Sequence, residues 1–115
     1  PEKEEIFQEA ELLARVGEDR EVMREILEEV LKDVPSRIES LKKAAEDGDV
    51  QEIRSLAHSI KGMAGNIAAP RVRETAYQLE TLAANQELSG MEELIWELQK
   101  EFELLKTKLQ YTLKY

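Results

Sequence analysis

The 115-residue sequence has no cysteine and one histidine. No disulfide can form, thiol chemistry is excluded, and a zinc site of the usual Cys/His kind has no ligands, so no metal centre is expected. Five glycines, three prolines and only 5% aromatics leave long stretches of good helix formers, with aliphatic side chains to fill the core. Cations are also outnumbered: 16 Lys and Arg against 25 Asp and Glu give a formal charge of -9. That charge repels a phosphate backbone, so nucleic acid is excluded as the main partner. No apolar run approaches the roughly 20 residues that cross a bilayer, and the first residues lack a signal-peptide pattern. A soluble, cytoplasmic protein without membrane contact is expected. Because the sequence starts at Pro1, it reads as a fragment of something longer.

What is present is helical periodicity. Ile6, Phe7, Ala10, Leu13 and Ala14 predict a short first helix stopped by Gly17, a lid rather than a full bundle member. From Asp19 to Gly48 a stripe of Val22, Ile26, Val30, Val34, Ile38 and Leu41 continues across Pro35, which predicts one long helix kinked at the proline in preference to a break. Asp49-Val50-Gln51-Glu52 has the form of a capping box and opens the next helix, through His58. Pro70 suits the first turn of a helix with Val72, Ala76, Leu79, Leu82 and Ala83 on its apolar face. Ser89-Gly90-Met91-Glu92 reads as a second capping box, before a stripe of Leu94, Ile95, Leu98, Phe102, Leu105, Leu109 and Leu113. The expected fold is all-α: an antiparallel four-helix bundle with a short additional N-terminal helix, residues 1–115 forming a single domain.

The informative stretch is AHSIKGMAGNIAAP, Ala57 to Pro70. At about 100° per residue, Ile53, Leu56, Ala57, Ile60, Ala64 and Ile67 gather within roughly 60° of one direction, the core face. His58 lies about 150° from its centre, and Gly62 and Gly65 fall within roughly 40° of His58. The imidazole is therefore expected to face water. A lone exposed histidine is ordinarily just solvated. Two glycines in a helix, however, each cost about 1 kcal/mol relative to alanine without improving the core. Glycine permits close approach, so the pair suggests a surface cleared beside an exposed nucleophile. Lys61 and Arg54 supply positive charge about one turn away on either side.

Ala57-His58-Ser59-Ile60-Lys61-Gly62, continuing through Ala64-Gly65-Asn66, closely resembles the A-H-x-L-K-G-x-x-G signature of histidine-containing phosphotransfer (HPt) domains. The surrounding pattern extends the likeness over nearly the whole chain. The resemblance implies a phosphorelay intermediate of two-component signal transduction. His58 would accept a phosphoryl group on Nε2 from a receiver-domain aspartate or a histidine kinase and pass it to another receiver. Lys61 would offset charge on the phosphoryl oxygens, and Glu80 would hydrogen-bond Nδ1 to orient the ring. Arg54, Gly62, Met63 and Gly65 would form the docking surface. No cofactor is implied, Mg2+ being expected on the partner receiver only, and a monomer is expected. Ala68 stands where many members have a further glycine, and Met63 where serine or alanine is common. Both departures bear on partner choice more than on chemistry.

No nucleotide-binding loop of the G-x-x-x-x-G-K-[ST] kind is present, which favours a phosphocarrier over a self-sufficient enzyme. A structural or adaptor bundle with an inert His58 is the alternative, and it leaves the glycine-cleared face without a purpose. An enzyme using paired carboxylates is disfavoured, because acidic residues such as Glu39 lie on solvent faces at helical spacing to Lys43.

Overall fold

Residues 5–115 are described by a computed structural model, and all regular elements among them are helices: α1 (Glu9–Arg15), α2 (Arg20–Glu46), α3 (Val50–Asn66), α4 (Pro70–Ala84) and α5 (Met91–Lys114). Helices α2 to α5 form the expected antiparallel bundle. Each packs on two neighbours, so α3 lies diagonally across from α5, and α1 sits on one end.

Helix α2 continues through Pro35 for all of its 27 residues. The proline is on the exposed side, where the carbonyl that its missing N–H leaves free can be hydrated. The apolar register at the start of α2 differs from the sequence expectation. Met23 and Leu27 are buried, whereas Val22 is 38% exposed and Ile26 only partly buried. In the first helix Leu12 joins Leu13 in the core, and Ala10 and Ala14 face solvent. Both segments offer adjacent apolar residues, and packing against the neighbouring helices decides which member of each pair is buried.

Helix starts follow the expected chemistry at three of the five sites. Asp19 accepts from the amides of Glu21 and Val22, Asp49 accepts from the amide of Glu52, and Pro70 occupies the first turn of α4. Only half of the Asp49 capping box forms, because the Asp49 amide donates instead to the Ala44 carbonyl. The second capping box does not form. Gly90 itself is the N-cap of α5, at φ 81° and without a side-chain cap, a left-handed turn that glycine accommodates without steric cost.

Four helices end in one device. After α1, α2, α3 and α4 the chain takes a left-handed residue, and the next amide folds back to a carbonyl in the last turn: Glu18 to Leu13, Asp49 to Ala44, Ala69 to Ala64 and Glu87 to Leu82. This is the Schellman arrangement. Glycine fills the left-handed position twice, as Gly17 and Gly48, but Ala68 (φ 61°) and Gln86 (φ 57°) fill it at the other two. The compact turn at Ala68 is what reverses the chain between α3 and α4 within three buried residues, Ile67, Ala68 and Ala69.

Helices α3 and α4 are the most extensively packed pair. Their buried positions include small residues, Ala57, Ala64 and Ala76, beside Ile53, Ile60, Val72 and Leu79. Alanines permit close approach of two helices, and this brings the outer edges of α3 and α4 within side-chain reach. Helix α1 acts as a lid on that pair: Arg15 donates to the carbonyls of Gly65 (2.7 Å) and Asn66 (3.2 Å), and the Gln8 amide donates to the Ala68 carbonyl (2.9 Å). A cation is thereby placed on the negative end of α3.

Candidate phosphoacceptor site

His58 projects from the outer face of α3 with its side chain 69% exposed. Its Nδ1 lies 2.7 Å from Oε2 of Glu80 on α4. Lys61, one turn further along α3, brings Nζ to 2.6 Å from the other oxygen, Oε1. Glu80 is therefore shared between imidazole and ammonium, and it is the most enclosed of the three, at 17% exposure. Contact with Lys61 is the main reason its carboxyl is held below the ordinary glutamate value. Burial opposes that shift, and the bond from His58 adds to it. At neutral pH Glu80 is thus an acceptor only, so Nδ1 of His58 must carry the proton it donates. The neutral ring then keeps its lone pair on Nε2, on the side away from Glu80.

The two glycines have different surroundings. A Cβ on Gly62 would meet nothing within 4 Å, so the surface beside His58 is open there. On Gly65 a Cβ would lie 3.2 Å from Nε of Arg73, which reaches over from α4. Gly62 thus leaves the surface beside His58 clear, whereas Gly65 accommodates an arginine of the same chain. Arg54 is exposed, one turn before His58, and lines an open cleft with Asp49, Gln51, Ala83 and Gln86. Met63 is half-buried and turned toward α2, where it lines an apolar groove with Ile26, Val30, Val34 and Ile60. The structure therefore gathers His58, Lys61, Glu80 and Gly62 at one place. Arg54 flanks that place, and Met63 faces another helix.

Three contributors escaped the sequence reading. Tyr77 places its ring 5.5 Å from Nζ of Lys61, a cation–π contact that helps to fix the ammonium beside Glu80. Arg73 covers Gly65, and Arg37 of α2 donates to the hydroxyl of Ser59, the residue after His58. Arg73, Tyr77 and Glu80 recur at helical i, i+4, i+7 spacing, a signal that marks one face of α4 turned toward α3.

An exposed nucleophile on a rigid helix, oriented from behind and open in front, suits a group carrier that reacts inside a partner's site. The comparisons with known proteins agree. A family model for the Hpt domain matches residues 25–108, a span containing His58, Lys61 and Glu80. Among solved structures, the histidine-containing phosphotransfer protein B (HptB) from Pseudomonas aeruginosa PAO1 is similar with a TM-score of 0.90 and 24% identity over 97% of both chains. The HPT domain of a sensor hybrid histidine kinase from Shewanella is similar with a TM-score of 0.83 and 18% identity, covering 95% of this chain and 94% of that one. No curated protein matches the chain. The chain belongs to the Hpt domain family, whose members are phosphorelay intermediates of two-component signal transduction. None of its described helices is long and apolar enough to cross a membrane.

Proposed function

We propose that His58 is the phosphoacceptor and that Nε2 is the reacting atom. The observation that carries this reading is the 2.7 Å contact between Nδ1 of the exposed imidazole and the ionised Glu80. It fixes the tautomer with a free lone pair at Nε2 and supports the positive charge that the ring acquires when phosphorus bonds there. The donor is an acyl phosphate on a receiver aspartate, or ATP held by a histidine kinase. As the N–P bond forms, the P–O bond to the donor breaks, and the electron pair leaves with the donor's oxygen. The reverse displacement passes the group to a second receiver.

Lys61 supplies a cation within one turn of the reacting ring. It both holds Glu80 and offsets charge on the incoming phosphoryl oxygens. Gly62 admits the partner's surface, and Arg54 lies where a docked partner would meet it. Under this reading the chain is a phosphocarrier without its own nucleotide site. Any Mg2+ required belongs to the receiver, and phosphoryl-transfer chemistry is completed only in the complex.

The test is incubation with a phosphorylated receiver domain, followed by analysis of the label. The reading expects an acid-labile, base-stable label on the wild-type chain and none on His58→Gln. Equal labelling of His58→Gln, or no label on either protein, would overturn it.

A further inference from the structure

Aromatic residues are scarce in this chain, yet three of its six, counting one Trp, three Tyr and two Phe, face water on a single helix. Trp96 (58% exposed), Tyr111 (61%) and Tyr115 (80%) lie with Leu104 (51%) on the outer side of α5. At about 100° per residue they fall within an arc of roughly 100°, which also holds Glu93, Glu97, Lys100 and Lys114, with Lys108 about 20° beyond its edge. Tyr111 and Tyr115 touch, with ring centroids 4.9 Å apart, and Lys100 sits 4.1 Å over the Trp96 ring. Core packing does not require this stripe, because the inner side of α5 already buries Ile95, Leu98, Phe102, Leu105 and Leu109. Exposed aromatic residues gathered on one face of a helix, interleaved with charges of both signs, are the composition of an interface.

Charge along the stripe identifies its occupant. The beginning of the face is acidic, with Glu93 and Glu97, and its end is basic, with Lys108 and Lys114. A second α5 laid antiparallel, with the two-fold axis between Glu103 and Leu104, sets Glu93 against Lys114, Trp96 against Tyr111 and Lys100 against Thr107. Two Leu104 side chains then meet near the axis, one residue out of exact register; Lys100 and Lys108 of opposite copies approach with the same offset, while opposite charges face each other at both ends of the seam. Laid parallel, the same helices would oppose Glu93 with Glu93 and Lys114 with Lys114. Self-complementarity about a two-fold axis is the condition for an isologous dimer.

We infer that the outer face of α5 is a homodimer interface formed by antiparallel pairing with a second copy of this chain. This replaces the monomer expected from sequence. Because α3 lies diagonally across the bundle from α5, both His58 sites stay accessible, and the dimer carries two phosphoryl groups outward. The pairing is independent of the chemistry proposed for His58.

Sedimentation equilibrium of the 115-residue chain up to about 1 mM, with emission of its sole tryptophan, Trp96, tests the inference. The expected result is a reversible monomer–dimer equilibrium with a blue shift of Trp96 emission as the dimer fills. Leu104→Lys, an exposed change, is expected to abolish both while leaving helical circular dichroism and phosphotransfer unchanged. Glu93→Lys or Lys114→Glu alone is expected to weaken pairing about tenfold, two symmetry-related contacts being lost per dimer, and the double reversal to restore it. A monomer at every concentration, a dimer indifferent to Leu104→Lys, or a double reversal no tighter than the single ones would overturn the inference.

Discussion

Nδ1 of His58 and Oε2 of Glu80 lie 2.7 Å apart, although the residues are twenty-two positions apart on different helices. The pairing depends on the close approach of α3 and α4, and under the proposed reading it selects Nε2 as the reacting nitrogen. Removing the carboxylate should therefore affect chemistry more than folding. For Glu80→Ala the loss of a charged hydrogen bond, about 1.5–3 kcal/mol, corresponds to a fall in transfer rate of roughly tenfold or more. Glu80→Gln keeps an acceptor for Nδ1–H and should fall less. Single-turnover transfer from a phosphorylated receiver measures the order, and equal rates for wild type and Glu80→Ala would contradict the orienting role.

Acid should dismantle the same cluster. Glu80's carboxyl is held below its ordinary value chiefly by Lys61, so folding stabilises the deprotonated form. The associated stability is fully present above the ordinary glutamate range and is lost as pH falls through the lowered value. Urea denaturation of wild type and Glu80→Gln should therefore show a stability difference at neutral pH that shrinks in acid. A difference independent of pH would contradict the coupling.

Under the proposed reading, a change at Gly62 separates docking from stability. Nothing lies within 4 Å of its absent Cβ, and glutamine is the better helix former. Gly62→Gln should thus raise stability by about 0.5–1 kcal/mol while slowing transfer. Thermal melts and transfer rates on one preparation test the combination. Undiminished transfer would mean that the cleared face is incidental.

Left-handed Gln86 offers a stabilising change remote from the ring. Gln86 is exposed at φ 57°, so Gln86→Gly should gain about 1 kcal/mol by relieving the contact between Cβ and backbone. Ala68→Gly relieves the same strain at φ 61°, but it also deletes a methyl group from a position only 4% exposed. Its gain should be smaller. Chemical denaturation checks both, and no gain from Gln86→Gly would contradict the strain argument.

Much of this was legible in the sequence because local chemistry and periodicity pointed the same way. Asp49 and Pro70 open the helices they were expected to open, and the apolar spacing from Ile53 to Ile67 placed His58 outward. Register failed where apolar residues stand side by side: nothing local chooses Met23 over Val22, and packing against the other helices decides it. Ser89 resembled a cap, but the turn that follows α4 puts Gly90 in that position instead. In the site, the resemblance marked Glu80 and Lys61, while their mutual contact and the cover from Tyr77 and Arg73 arise only once two helices meet. The different settings of Gly62 and Gly65 likewise depend on a neighbouring helix, which no pattern within α3 records.

The central claim is that Glu80, by holding Nδ1 of His58, directs the phosphoryl group to Nε2. Nitrogen-15 and phosphorus-31 NMR of the phosphorylated chain distinguishes the two ring positions. The account predicts phosphorus bonded to Nε2 and a proton retained on Nδ1; phosphorus on Nδ1, or on a residue other than His58, would contradict it.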